Sequence, residues 1–124
     1  MAEAIALYDA ADVIEPSSAG LNPMGSIPEL TKQILERNGY TAKGLSSTRL
    51  TRELSEAADI IINMSGEPLE EEPGNRGKVE DWMVQDPYGA TAHVYQRVFE
   101  GIKRRVNQLA EGLREKRQNR TTAR

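Results

Sequence analysis

The most extended pattern along the chain lies in its last third. Tyr95, Val98, Phe99, Ile102, Val106, Leu109 and Leu113 recur at steps of three and four. That spacing predicts a long helix from Ala90 or Thr91, with an apolar stripe that packs on a sheet or on other helices. Three shorter helices precede it. Leu30, Ile34 and Leu35 fall at helical spacing behind Pro28, whose missing N–H suits a first turn, and Asn38-Gly39 supplies a stop. Thr51 is an N-cap for a helix to about Ala58, with Leu50 and Leu54 as its apolar contacts. Met1 to Ala11 is Ala-rich, carries Ile5 and Leu7, and is expected to be helical. It begins with no capping residue, and Glu3 offsets part of the conflict between an α-amino charge and the helix dipole. That start points to an absent lead-in.

Between the helices lie three short strand candidates. Ile60-Ile61-Ile62 is an apolar β-branched run flanked by helices, the pattern of a buried parallel strand. Val13-Ile14 opens another, leading into Pro16-Ser17-Ser18-Ala19-Gly20, and Val79 to Trp82 is the third. Pro23, Gly25 and Ser26 mark a loop. Ser65 to Lys78, with four acids and two prolines, reads as a loop or lid, and Asp86-Pro87-Tyr88-Gly89 as a turn. Strands alternating with helices predict an α/β domain with a small, mostly parallel sheet. One domain is expected over residues 1–113, followed by a basic, polar and frayed tail over 114–124.

Composition narrows the function classes. The 124 residues carry a net charge of −3, and the last eleven hold five basic groups against one acid. The tail is therefore +4 and the body −7. An acidic body argues against nucleic acid as a partner. No apolar run reaches the roughly 18 residues of a membrane span, and no signal peptide is visible, so a cytoplasmic protein away from membranes is expected. There is no cysteine and only one histidine, so a thiol nucleophile and a His/Cys metal site are not expected. His93 falls on a helix surface. The Glu70-Glu71-Glu72 run is read as a solvated loop rather than a cation site. With 38% apolar and 5% aromatic residues, the core is expected to be thin.

Ser18-Ala19-Gly20, Gly39, Ala58-Asp59-Ile60-Ile61-Ile62-Asn63-Met64, Trp82, Asp86-Pro87-Tyr88-Gly89 and Tyr95 follow one another in an order that resembles the low-molecular-weight protein tyrosine phosphatases. The bacterial arsenate reductases of the same fold look similar. The resemblance covers about Met1 to Leu113 and implies a three-layer α/β sandwich. It also implies cofactor-free and metal-free hydrolysis of phosphotyrosyl proteins or small phosphomonoesters. In that chemistry the thiolate of a Cys-x5-Arg loop attacks phosphorus, loop N–H groups and the Arg hold the oxygens, and an Asp protonates the leaving group. Asp86 matches that general acid, Tyr88 an aromatic lining the substrate cleft, and Ser18 a residue supporting the loop. Trp82 is read as packing.

The chain departs from the pattern at several points. It opens Met1-Ala2-Glu3, which resembles the sequence directly after the phosphate loop, so the first central strand, the nucleophile and the Arg are expected to be missing. Leu21 stands where Thr is usual, and Leu45 where relatives often have His. A lost strand removes about four to five buried side chains at about 1.5–3 kcal/mol each. Against a total of about 5–15 kcal/mol, that predicts a marginal or partner-dependent fold. Without the Cys and the phosphate loop, the chain as given is expected to be inactive, and a complete version, of which it would be a truncated remainder, to be an active phosphatase. The alternatives are a non-catalytic binding module on a degenerate phosphatase fold, or an arsenate reductase-like relative; a homodimer stays open.

Overall fold

The structure, a computed structural model, describes residues 1–20, 28–45, 48–69, 77–87 and 89–122, with side chains as far as Gln118. Leu21, the loop residues Pro23, Gly25 and Ser26, the Glu70–Glu72 run and Tyr88 lie outside the described residues. The elements are α1 (Ala2–Asp9), α2 (Glu29–Arg37), α3 (Arg52–Ala57), β1 (Ile61–Asn63), β2 (Val79–Asp81) and α4 (Ala92–Thr122). The chain divides into two compact units, one of Met1–Ser18, Ile27–Leu45 and Asp86–Arg124, the other of Ala19–Ser26 and Ser46–Gln85.

The first unit is built on α4. Its stripe buries Tyr95, Val98, Phe99, Ile102, Val106 and Ala110, while Leu109 and Leu113 are only half-buried. Helices α1 and α2 both pack against it. From α1 come Ala4, Ile5 and Ala6, and from α2 come Ile34 and Leu35. Leu7 is half exposed, because residues two apart on a helix cannot share a face with Ile5.

Tyr40 joins these helices. Helix α2 ends as the sequence predicts, with Gly39 at φ 88°. Gly39 N–H donates to Glu36 O at 3.1 Å and Tyr40 N–H to Leu35 O at 2.8 Å. This pair of bonds closes the helix through a left-handed glycine and turns Tyr40 inward. Its ring meets Tyr8 and Phe99 edge-on at 5.5 and 5.6 Å, with Lys103 Nζ 5.6 Å from its centroid. Its hydroxyl donates to Asp9 Oδ2 at 2.8 Å, and Asn107 Nδ2 donates to the same oxygen at 3.0 Å. Burial, and then the bond to Asp9, push the Tyr40 phenol above its ordinary pKa. Nearby, Asn38 Nδ2 donates to Gln96 Oε1 at 2.9 Å and Gln96 Nε2 returns a bond to Asn38 Oδ1 at 3.2 Å.

In the second unit, Thr51 caps α3 as predicted, its hydroxyl accepting from Leu54 N–H at 3.2 Å. Lys78 closes the other end. Its ammonium donates to the carbonyls of Ser55, Glu56 and Ala58 at 2.7, 3.2 and 2.9 Å, where the helix dipole favours a cation. Strands β1 and β2 run parallel, with Ile61 opposite Val79 and Asn63 opposite Asp81. An isolated parallel bridge joins Gly20 to Arg49. The α/β class with a small parallel sheet is the one the alternating pattern predicts.

Several local expectations differ from the structure: α1 ends at Asp9 rather than Ala11, β2 at Asp81 rather than Trp82, and Ile61 and Ile62 are half-buried rather than buried. Val13 and Ile14 do not form a strand: both of their N–H groups donate to Ala10 O, at 3.0 and 2.8 Å, which makes a tight turn instead of an extended segment. Pro28 is the cap residue before α2, at φ −57° and ψ 143°, not its first helical residue. Strand β1 begins one residue later than the isoleucine run, leaving Ile60 outside it and 42% exposed. Beyond Leu113, where fraying was expected, α4 continues to Thr122. There Arg114 forks onto Asp12, Nε to Oδ2 at 2.8 Å and Nη2 to Oδ1 at 2.9 Å.

Two measurements follow from this packing. Phe99→Ala is expected to cost about 3–5 kcal/mol in urea unfolding, against at most about 1 for the half-exposed Leu7→Ala. The Arg114 hydrogen bond holds the Asp12 carboxyl down to about 2. A carboxylate depressed on folding contributes stability that is present above its unfolded value near 3.9 and is lost as pH falls through about 2. Carbon-detected NMR titration of Asp12 should show that midpoint, and Arg114→Ala should return it towards about 3.9.

Candidate functional site

Asp86 lies in the irregular segment between β2 and α4, and its side chain is exposed. The chain turns directly after it. Ala90 N–H donates to Pro87 O at 2.8 Å, and Gly89 sits at φ 81°. A left-handed residue at the third position of such a turn is what glycine permits most readily. The chain therefore closes a turn from Pro87 to Ala90, one residue later than the Asp86–Gly89 turn the composition predicts, and Asp86 lies just ahead of it. Tyr88, the expected cleft aromatic, is outside the described residues.

Ser18 belongs to the same unit as Asp86. It is exposed, and its hydroxyl donates to Glu3 Oε1 at 2.8 Å. Here the side chain expected to brace a phosphate loop braces the first turn of α1. Trp82 is 8% exposed and belongs to the packing of the second unit, as the sequence reading has it. His93 is exposed on α4. Among the described residues no group of three or more His, Cys, Asp or Glu side chains is placed to hold a metal ion. No helix, again among the described residues, is long and apolar enough to cross a membrane.

One polar centre escapes the sequence reading. Asn63, at the end of β1, is only 5% exposed. Its Nδ2 donates to Glu67 O at 2.6 Å and to Asp81 Oδ1 at 2.8 Å. Its Oδ1 accepts from Ser65 N–H at 3.1 Å and from Ser65 Oγ at 2.6 Å. Every hydrogen-bonding position of the amide that burial would leave costly is thus filled. The bonds fold the chain leaving β1 back on itself and hold the ends of β1 and β2 together. The signal was present: an Asn closing an apolar run, two residues before a Ser, is suited to a side-chain-to-backbone turn. Lys78 carried no such signal, because its three acceptors are more than nineteen residues away in sequence.

A family model, low molecular weight phosphotyrosine protein phosphatase, matches residues 1–119. Solved structures with the same fold include an arsenate reductase in the phosphate binding state, at 24% identity and a TM-score of 0.81 over 90% of this chain and 86% of that one. The tyrosine phosphatase Wzb from Escherichia coli K30, in complex with sulphate, is 24% identical with a TM-score of 0.79 over 90% and 87% of the two chains. A mutant of the YwlE arginine phosphatase with a phosphorylated active-site serine is 23% identical, with a TM-score of 0.78 over 94% and 88%. No curated protein sequence matches the chain.

The Asn63 network leads to a stability prediction. Asn63→Ala leaves the Glu67 carbonyl, the Asp81 carboxylate and the Ser65 groups without this partner, and is expected to destabilise the chain by about 1–3 kcal/mol in urea unfolding. Ser65→Ala removes one bond to the same amide and should cost about 1.

Proposed function

Because this chain belongs to the low-molecular-weight phosphotyrosine protein phosphatase family, we propose that it carries the acid side of phosphomonoester hydrolysis without the nucleophile. The observation behind this reading is the family match across residues 1–119 of a sequence that contains no cysteine. In the family chemistry a thiolate displaces the alcohol from phosphorus, the leaving oxygen takes a proton from an Asp, and water then cleaves the cysteinyl-phosphate. This chain has no side chain that can accept the phosphoryl group through sulfur. Asp86 fits the acid: it is exposed, and it directly precedes the turn at Pro87–Ala90. Tyr88 is the aromatic assigned to the substrate cleft.

On this reading, a version of the fold completed by a strand and a Cys-x5-Arg loop hydrolyses phosphotyrosyl proteins or small phosphomonoesters in the cytoplasm, with no metal and no cofactor. Arsenate reduction is the less favoured chemistry, since it calls for thiols and the sequence has none. A specific observation supports the second reading, a non-catalytic binding module. Ser18, the expected loop support, is engaged by Glu3 of the chain's own first helix at 2.8 Å.

The test has two parts. The purified chain, incubated with p-nitrophenyl phosphate and with a phosphotyrosine peptide, is expected to show no turnover above buffer, and intact mass should show no phosphoryl adduct. Metal-independent turnover that Asp86→Asn abolishes would overturn the proposal. A fusion that places an apolar strand and a Cys-x5-Arg loop ahead of Met1 is expected to turn over both substrates. In that fusion Asp86→Asn should lower kcat by about 100- to 10,000-fold. A fold that forms in the fusion but whose activity ignores Asp86 would remove Asp86 from the mechanism.

A further inference from the structure

The apolar stripe of α4 stops at Leu113, yet the helix continues to Thr122. Continuing the three-and-four spacing of Leu109 and Leu113 arrives at Lys116 and Arg117, both exposed. Hydrophobic burial therefore does not account for this last stretch. As the continuation of a formed helix it needs no new nucleus, but without an apolar face it has only intrinsic propensity and polar contacts to hold it. What the stretch has instead is Asp12, in the turn that follows α1. Arg114 forks onto its carboxylate at 2.8 and 2.9 Å and also donates to Asp9 O at 3.0 Å. Arg117 adds Nη1 to Asp12 O at 3.2 Å, and its Nη2 lies 3.6 Å from Oδ2. A shallow cavity beside this contact is lined by Asp12, Val13, Leu113, Lys116 and Arg117. The other charges near the fork are Glu111, which acts on Arg114 from within α4, and Lys116 at the cavity rim.

We propose that residues 114–122 of α4 form a salt-sensitive strap, fastened to the first unit through the Asp12 carboxylate, whose release frees a strongly basic segment. The geometry supports a fastener rather than a permanent seam. The Arg114 and Asp12 side chains are 33% and 45% exposed, so ions reach the pair and screen it. Fork geometry gives it direction. Closed, the strap neutralises part of its own charge against an acidic body. Open, it offers that charge to anionic groups elsewhere.

Hydrogen exchange on the full chain, resolved by peptide or by NMR, tests the strap. In low salt, amides over 114–122 should exchange more slowly than in an unstructured peptide of the same sequence. Asp12→Asn, or raising NaCl from 20 mM to 500 mM, should speed their exchange about two- to fivefold, the scale of an exposed forked ion pair. Salt should then have little further effect on Asp12→Asn. Amides over 95–110 should not change. Arg114→Lys, which keeps the charge and loses the fork, should fall between the wild type and Asp12→Asn. The proposal is overturned if 114–122 exchanges at unstructured rates in the wild type at low salt, if Asp12→Asn leaves it unchanged, or if the increase spreads evenly along α4.

Discussion

The bond from the Tyr40 hydroxyl to Asp9 organises the first unit. Its acceptor ends α1, its donor follows the glycine stop of α2, and the Tyr40 ring lies edge-on to Phe99 in the first third of α4. Three helices far apart in sequence therefore meet at one phenol. A buried phenol must find an acceptor, and an aromatic ring of this size fills the space between helices whose other contact residues are alanines and short aliphatic groups. Asn107 donating to the same Asp9 oxygen makes the arrangement specific as well as apolar. A thin core can hold together when a polar bond fixes its register in this way.

The second unit solves the opposite problem. A two-stranded parallel sheet with a six-residue helix has little apolar area to bury. Its ordering devices are accordingly polar. Lys78 gathers three carbonyls at the end of α3, and Asn63 saturates its amide between the ends of β1 and β2. Each device replaces a lost backbone partner with a side chain, the condition for burying irregular backbone.

Long periodic segments were legible in the sequence, and short ones were legible only in part. The α4 stripe, the Gly39 stop and the Thr51 cap each rest on local chemistry, and each took the expected form. Val13-Ile14 failed because β-branched residues make a strand only when a neighbour pairs with them. Here Ala10 O captures both N–H groups first. Residues 114–122 were misread for a related reason. Their composition describes a polar, basic segment, but the carboxylate that orders it lies about a hundred residues earlier, at Asp12. At the candidate site, the turn behind Asp86 was readable from Pro87 and Gly89. The engagement of Ser18 by Glu3 was not, since neither residue's pattern names the other.

The two readings of function differ over what Ser18 and Asp86 are for. If the fold is completed by a nucleophile, Ser18 must give up Glu3 to serve a phosphate loop, while the turn that follows Asp86 is closed by its own backbone. On the catalytic reading, Asp86 would supply a proton donor, and nothing in the sequence would supply a sulfur nucleophile. A proton donor alone gives no catalysis, because the electrostatic cradle and the nucleophile supply most of the transition-state stabilisation in such reactions. A side chain that donates a proton helps only a leaving group that something else is expelling. A family frame without a thiol thus depends for that chemistry on a group this sequence does not contain.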